Sequence, residues 1–515
     1  MQDKWEKRHQ REINRYAARI EEIYKKAAEE AARIGHSIHN FNPDRPFSFD
    51  DYPQAKKKIT ELLKDLANNV EITIIDGVKS SWTLANNRNS YLTQLLLGDY
   101  YNKLTSEQAA RYYTNHHAAR NAFLTRKENG LGLSNRVWKY VNQFKTEIEL
   151  GIELGLGEGK SAVDMARDLK QYLVEPDRLF RRVRNKYGNL RLSKAAEAFH
   201  PGPGVYRSSV KNAQRLTRTE NNMSYRLADY LRIQDQDFIV GIEIHLSNNH
   251  PVEDICDELK GKYPKTFKFL GWHPQCRCFV TYILKTIEEL NQETAALLEG
   301  KKINIRSVNE VKDVPENFKK WLTDNADRIA VSGYKGKTPY FLMDNDKYVH
   351  LENFQATKLQ KQIIDSRQEY LQYDTKSWRR DYFDRNNGGY LVVDRERIGH
   401  STINKNEKVK FDKEYRMCEV FAKNGYKIEI LKERPGISSS DIRLNGIMAE
   451  LKKTSSHNNI MNYAKKAIDK QGAKIVLFEF GKETKEIHLE LLKLKKENIR
   501  VYYYFSRQKD MIYKL

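Results

Sequence analysis

The sequence is poor in cysteine, proline and glycine for its length. Its 515 residues include 4 Cys, 12 Pro and 26 Gly. Four cysteines in so long a chain exclude a scaffold held together by disulfides and favour a reducing compartment. The low content of proline and glycine argues against long disordered or low-complexity tracts, and 39% hydrophobic residues suffice for packed cores.

Long apolar runs are also missing. The best run is the short IVLFEF near the C-terminus, far below the roughly 20 apolar residues that cross a bilayer. The first residues, MQDKWEKRHQ, are charged and lack the apolar segment of a secretory signal. We therefore expect a chain made in a cytoplasm, with no signal peptide, no transmembrane segment and no membrane insertion.

What the sequence does have is positive charge. Ninety Lys and Arg against 69 Asp and Glu give a formal net charge of +21. Such an excess favours a polyanionic partner, which means nucleic acid or an anionic surface, and carries no information on the fold. The length is typical of about three domains.

The hydrophobic pattern changes along the chain. Helical periodicity dominates the first half, and after Asp237 a β-like run, FIVGIEIHL, leads into a cysteine-bearing loop. Asn386-Asn387-Gly388-Gly389 is a turn signal that marks a boundary. We expect a multidomain fold with a mainly α region over residues 1–300 (core about 80–285) that includes a small β and loop element. A connector containing PYFLMDN follows over 301–387, and an α/β domain over 388–515.

Three cysteines and a histidine lie close together in the sequence. Thiolate and imidazole groups from Cys256, His273, Cys276 and Cys278 suit a tetrahedral, structural Zn²⁺. The spacing differs from the paired C-x2-C of common zinc modules. Small buried thiols beside a loop histidine remain the alternative.

Motifs in the same region resemble the phage Mu F-like minor head proteins of the head morphogenesis family. They are LTRTE (Leu216–Glu220), DIC (Asp254–Cys256) and HPQCRC (His273–Cys278), with SNRVWKYV, GKSAVDMARDL and HPGPGVYRSS in support. The resemblance covers roughly residues 80–345. It implies a minor capsid component near the portal, present in the virion, with portal and capsid proteins as partners. It implies no enzymatic activity for this part.

The C-terminal region predicts a β-hairpin that carries charged residues. From Phe411 onward the elements follow the order αβββαβ, which is that of the restriction-endonuclease-like core. A two-residue turn at Asn445-Gly446 pairs Leu444 with Ile447 and places Asp441 opposite Glu450. Asp441, Glu450 and Lys452 then share the polar face of the hairpin.

This arrangement of residue types suits metal-dependent phosphodiester cleavage. Directly opposed carboxylates repel unless a cation bridges them, and Asp441 and Glu450 are hard oxygen ligands for Mg²⁺ or Mn²⁺. Lys452 is positioned to orient or deprotonate a water and to stabilise developing charge. Glu414 lies on the apolar face of the preceding helix, so we expect it to reach the metal or its water shell.

D-x8-E-x-K with an upstream helical Glu resembles the PD-(D/E)xK nuclease signature, although Ser440 stands where the strict motif has proline. More narrowly, GYKIEIL, DIRLNGIMAELKK and AIDKQGAKIVLFEF resemble the C-terminal tRNA nuclease domain of CdiA-type toxins, over residues 388–515. The resemblance implies metal-dependent cleavage of an RNA, with tRNA as the expected substrate, and a cognate immunity protein as a partner. Gln471 matches a polar position of that family and joins the candidate residues.

Together these features predict a phage or prophage minor head protein that carries a nuclease toxin. The chain is then located in the bacterial host cytoplasm during assembly and afterwards in the virion. Two alternatives stay open, because a single Asp/Glu/Lys triplet often arises by chance. The first is a structural assembly protein whose basic C-terminal domain binds nucleic acid without cutting it. The second is a DNA-cleaving nuclease that acts in packaging or superinfection exclusion.

Overall fold

In a computed structural model, the protein folds into two compact units. Unit 1 contains Met1–Asn325 and Pro339–Leu351, and unit 2 contains Ala326–Thr338 and Glu352–Leu515. The structure describes residues 4–42, 46–98, 104–176, 182–184, 190–192, 200–202, 204–247, 252–299, 305–432 and 440–515.

Unit 1 is mainly helical. Its helices are α1 (Lys4–His36), α2 (Pro53–Leu97), α3 (Ser106–Tyr113), α4 (His117–Thr125), α5 (Leu133–Gly157), α6 (Ala162–Val174), α7 (Ser209–Gln234), α8 (Ile255–Leu259), α9 (Ile287–Leu298), α10 (Glu316–Asp324), α12 (Tyr340–Met343) and α13 (Asp346–Val349). The apolar stripe of α1 is buried, and Ile13, Tyr16 and Ile20 belong to it. In the described ranges, no helix combines the length and hydropathy needed to cross a bilayer.

Unit 1 also contains a small sheet beside its helices. Its strands are β3 (Ile239–His245), β4 (Gly261–Tyr263) and β5 (Phe279–Leu284), paired antiparallel in the order β4-β3-β5. Two further strands, β1 (Arg182–Arg184) and β2 (Leu190–Leu192), pair antiparallel with each other. Cys256 lies in α8, between β3 and β4, whereas Cys276 and Cys278 lie in the loop between β4 and β5. The small β and loop element is found where the sequence predicts it, with a short helix in addition.

Unit 2 is built on one mixed eight-stranded sheet. Its strands are β6 (Trp378–Phe383), β7 (Tyr390–Asp394), β8 (Lys427–Ile430), β9 (Ile442–Leu444), β10 (Ile447–Thr454), β11 (Ile475–Phe480), β12 (Val501–Phe505) and β13 (Gln508–Lys514). Across the sheet the strands follow their order in the chain, from β6 at one edge to β13 at the other. The helices are α11 (Ala326–Tyr334), α14 (Lys358–Gln372), α15 (Arg395–Ser401), α16 (Lys405–Lys423), α17 (Ile460–Asp469) and α18 (Lys485–Lys496).

The sheet buries apolar side chains on both faces because successive residues of a strand point to opposite sides. On one face Ile442, Ala449 and Leu477 pack with the apolar face of α16. On the other face Val476 and Phe478 pack with residues of α17 and α18. The central strands are thereby fixed from both sides.

The order of elements agrees with the sequence prediction and extends it. From α16 to β11 the elements follow the predicted αβββαβ order, and α18, β12 and β13 continue the fold. The sheet begins at Trp378, which precedes the expected domain start at residue 388. Residues 301–387, expected as a connector, are divided between the two units, and 301–304 lie outside the described residues.

Gly389 directly precedes β7, at a point where no side chain fits. A Cβ atom there would lie 2.1 Å from the carbonyl oxygen of Ala422 and 2.8 Å from Cα of Gly425. Overpacking of this kind costs about 1–3 kcal/mol. We expect Gly389→Ala to lower the urea midpoint of unit 2. The measurement is thiol labelling of Cys418, which is buried in α16, read by mass spectrometry on its own peptide.

The matched control is the same substitution at Gly399. This glycine lies in α15, and a Cβ atom there would have nothing within 4 Å. Because alanine favours helix over glycine by up to about 1 kcal/mol, Gly399→Ala should leave the midpoint unchanged or raise it. Equal destabilisation by both substitutions would contradict the close packing assigned to Gly389.

Candidate active site and cysteine cluster

The β9–β10 hairpin places two carboxylates side by side. Asn445 and Gly446 have φ values of 49° and 77°, as a type I′ turn requires. The observed pairs Leu444–Ile447, Arg443–Met448 and Ile442–Ala449 confirm the predicted register. Asp441 comes directly before β9, and its backbone N–H donates a hydrogen bond of 3.2 Å to Glu450 Oε2.

Glu450 is the buried centre of a closed hydrogen-bond network. Its Oε1 accepts from Lys452 Nζ at 2.6 Å and from Gln471 Nε2 at 2.7 Å. Lys452 Nζ also donates to Gln471 Oε1 at 3.2 Å. The Ser440 hydroxyl donates to the backbone carbonyl of Gln471 at 3.0 Å, which ties the segment before Asp441 to the end of α17. The structure thus brings together Asp441, Glu450, Lys452 and Gln471.

The pKa of the Asp441 carboxyl is raised into the neutral range. Burial is the largest cause that raises its pKa to about 7, and the negative charges of Glu450 and Glu414 act in the same direction. Lys410 and Lys452 oppose this shift. A carboxyl that exchanges its proton near neutral pH is typical of functional sites, and an added cation would favour its charged form.

Glu414 has a partner that the sequence did not reveal. It is buried on α16, as its position on the apolar face predicts, and its Oε2 accepts from Arg397 Nη2 at 2.6 Å. Lys410 Nζ lies 4.0 Å from Oε1 of the same carboxylate. Arg397 belongs to the short helix α15 and is itself buried. No local pattern in the sequence links these two side chains, because only the tertiary fold brings α15 against α16.

The three carboxylates do not all converge on one point. In the described part of the chain, Glu414, Asp441 and Glu450 do not form a group whose ligand atoms all lie within 4.8 Å of one another. Asp441 and Glu450 still fit Mg²⁺ or Mn²⁺, because Mg²⁺ is usually held by one or two carboxylates with waters and substrate phosphates. The mutual repulsion that raises the pKa of Asp441 is what a bound cation would relieve.

The cysteine cluster provides a second candidate metal centre. Cys256, Cys276 and Cys278 are buried free thiols whose sulfur atoms all lie within 4.8 Å of one another. Cys256 Sγ and Cys276 Sγ are 3.7 Å apart. A tetrahedral zinc with Zn–S bonds of about 2.3 Å requires a sulfur–sulfur separation of about 3.8 Å. The cluster could therefore bind a metal ion without large movement of this pair.

His273 and Asp254 extend the cluster from Cys256. His273 Nε2 lies 3.1 Å from Cys256 Sγ and 3.3 Å from Asp254 Oδ2. His273 Nδ1 is 2.9 Å from the carbonyl oxygen of Pro274, which can only accept, so the proton of a neutral ring lies on Nδ1 and Nε2 is a potential ligand. Hydrogen bonds from the other two thiols lower the pKa of Cys276. The structure thus divides the predicted set: Cys256 belongs both to the group of three thiols and to a group with His273 and Asp254, and in the described residues no group within 4.8 Å unites His273 with all three sulfur atoms.

The titration of Asp441 predicts that the stability of unit 2 falls as pH rises. The folded state binds the proton more tightly than an aspartate with the ordinary pKa of 3.8. The free energy of unfolding therefore decreases from about pH 4 to about pH 7 and then levels off. We expect Asp441→Asn to flatten this dependence and to raise the urea midpoint at pH 8, as measured by Cys418 labelling. Asp469→Asn, at an exposed position of α17, is the control. A pH dependence that Asp441→Asn leaves intact would refute the assignment.

The chain matches no protein-family model, no curated protein and no solved structure. The chemistry of the site therefore rests on its own geometry. That geometry consists of a buried Glu450 held by Lys452 and Gln471, an adjacent Asp441 with a raised pKa, and Glu414 paired with Arg397.

Proposed function

We propose that unit 2 is a metal-dependent endonuclease that cleaves RNA, with tRNA as its substrate. The observation that carries the proposal is the meeting of Asp441, Glu450 and Lys452 on one hairpin. Two adjacent carboxylates with a lysine on the same face provide the ligands and the positive charge that phosphodiester hydrolysis needs. The net charge of +21 supports a phosphate-rich substrate.

Each residue of the hairpin has a distinct role in this proposal. Asp441 and Glu450 hold Mg²⁺ or Mn²⁺, which supplies a more acidic water and neutralises phosphate charge. Lys452 Nζ, held 2.6 Å from Glu450, orients the attacking water and offers its charge to the phosphate. Gln471 fixes the rotamer of Glu450 by donating to the same oxygen, so it is a positioning residue.

Glu414 acts from a distance in this scheme. Its carboxylate is paired with Arg397 at 2.6 Å, and its negative charge is one of the causes that raise the pKa of Asp441. It therefore disfavours the ionised Asp441 until a cation is present. The expected reach of Glu414 to the metal or its water shell stays a prediction, since the contact that the structure gives its carboxylate is with Arg397.

We further propose that unit 1 is the minor head region of a phage or prophage protein. The support is the set of motifs LTRTE, DIC and HPQCRC, of which the last two supply the cysteine cluster. In this scheme the chain assembles in the host cytoplasm with portal and capsid proteins and enters the virion. The nuclease would then reach a new host with the DNA, and the producing cell would need a cognate immunity protein.

The metal we propose for the cysteine cluster is a structural Zn²⁺. Thiolate and imidazole donors select zinc over Mg²⁺ or Ca²⁺, and the Cys256–Cys276 separation of 3.7 Å suits a tetrahedral site. Cys256, Cys276, Cys278 and His273 are the proposed ligands. Asp254 lies near His273 Nε2 and caps α8, so it supports the position of Cys256.

The nuclease proposal is tested by incubating the full chain with total tRNA and Mg²⁺ or Mn²⁺. We expect cleavage by wild type and a loss of at least about a hundredfold in Glu450→Gln and Lys452→Ala, because each removes a group at the reacting phosphate. Lys453→Ala is the matched control. Lys453 is the next residue of β10, points to the other face and is 59% exposed. Its removal should leave the rate within about threefold, since it has no role at the phosphate.

The same assay separates the alternatives. Cleavage of duplex DNA in place of RNA would favour the DNA nuclease. If wild type and Asp441→Ala bind nucleic acid alike and leave all RNA and DNA intact, the enzyme proposal fails and the binding-only alternative stands.

The zinc proposal is tested by metal analysis of the purified full chain. We expect about one zinc ion per chain in wild type and its loss in Cys276→Ser, because the central thiolate is removed. Cys418→Ser changes the remaining cysteine, which lies in α16 of unit 2, and should retain the metal. A wild-type protein that binds no zinc at micromolar free concentration would refute the proposal.

A further inference from the structure

A cavity of about 810 Å³ opens on unit 2 beside the β9–β10 turn. It is bordered by α14, by the segment leading into β6, and by β7, β8 and the turn. Its wall includes the aromatic rings of Tyr373, Trp378 and Tyr390. It also includes the carboxylates of Glu369, Asp374 and Glu429.

The cavity lies on the same face of the sheet as Glu450 and Lys452. Glu429 of β8 pairs with Arg443 of β9, and Arg443 pairs with Met448 of β10. Side chains on one face of a strand recur every second residue, so Glu450 and Lys452 follow Met448 on this face. α14 packs against β6 and β7, whereas α17 packs against β10 and β11. The cavity and the proposed active site therefore open over neighbouring strands.

The distance between the two sites suits one extended strand of nucleic acid. Asn445, which borders the cavity, is four residues from Asp441 along β9. A strand rises 3.2–3.4 Å per residue, so the separation is about 13 Å. Arg443 lies midway, and its side chain is 44% exposed although one guanidinium nitrogen bonds Glu429 at 3.0 Å. A phosphate between the two sites would meet this positive charge.

The walls of the cavity suit a planar, uncharged ring. Tyr373 makes T-shaped contacts with Trp378 and Tyr390, at centroid distances of 5.2 and 6.0 Å, and the three rings form an aromatic corner. Aromatic faces stack any nucleobase. Two of the three carboxylates are already paired with cations, Glu369 with Lys427 at 2.6 Å and Glu429 with Arg443 at 3.0 Å. Carboxylate oxygens at the wall of the cavity can accept hydrogen bonds from the exocyclic amino group of a base.

We propose that this cavity binds an amino-bearing nucleobase of the substrate, close to the scissile phosphate. The inference rests on the proposed nuclease function and names a specificity-determining subsite for it. A basic side chain of a protein partner would also suit rings beside carboxylates. The nucleobase is favoured because the cavity shares its face with Glu450 and Lys452, with Arg443 between them.

The test measures binding of labelled single-stranded oligocytidine and oligouridine to the full chain, with Ca²⁺ in place of Mg²⁺. We expect wild type to prefer oligocytidine. Trp378→Ala should weaken oligocytidine binding about tenfold, because one stacking surface is lost. Trp378→Phe keeps a ring and should remain close to wild type. Tyr334→Ala removes an exposed ring of α11 and is the control that should change nothing.

A second measurement uses only the wild-type protein, so its result does not depend on whether a variant folds. Photocrosslinking of 5-iodocytidine RNA to wild-type protein should label the peptide that contains Tyr373 and Trp378. Crosslinks that form only elsewhere, or Trp378→Ala binding equal to that of wild type, would overturn the inference. Cleavage is scored separately. If the wild-type protein binds RNA through Trp378 but cleaves nothing, the nuclease proposal fails and the base-binding cavity stands. If Trp378→Ala binds RNA normally and cleaves it, the proposed subsite fails and the nuclease proposal stands.

Discussion

The arrangement of unit 2 depends on the burial of one carboxylate, Glu450. An ionised carboxylate inside a protein must be paired and hydrogen-bonded, and here Lys452, Gln471 and the Asp441 backbone supply the partners. These partners come from β10 itself, from the second residue after α17 and from the residue directly before β9. The hairpin, the turn that follows α17 and the residue before the hairpin are therefore all constrained by the same side chain.

That constraint is sustained by the two-sided packing of the sheet. Ile442 and Ala449 bury one face of the hairpin under α16, so the register cannot slip by one residue without exposing them. The same register directs Arg443 and Met448 to the other face together with Glu450. Apolar packing on one face of the hairpin thus determines which polar residues lie on its other face.

How far the sequence predicts this site depends on whether a contact is local. Asn445-Gly446 specifies its own turn, so the hairpin register followed from the chain alone. The burial of Glu414 followed from helical periodicity, but Arg397 did not, because its contact depends on how two helices pack. Helix α18 was not predicted, although Ile487, Leu491 and Leu494 recur at three- and four-residue steps that indicate it. The strands β6 and β13 each pair antiparallel with the strand next to them in the chain, but their sequences, WRRDYF and QKDMIYK, are largely polar or charged and lack the alternating pattern that indicates a strand.

The charged side chains around the hairpin are arranged in a way that is consistent with the proposed metal site. Glu414 and Glu450 are each matched by a cation, Arg397 and Lys452, within 2.6 Å. Asp441 has a raised pKa because burial and the two neighbouring carboxylates outweigh the charges of Lys410 and Lys452. A divalent cation that displaced its proton would leave surplus positive charge beside the hairpin. The phosphates of a bound strand would neutralise that charge, which couples metal binding to substrate binding.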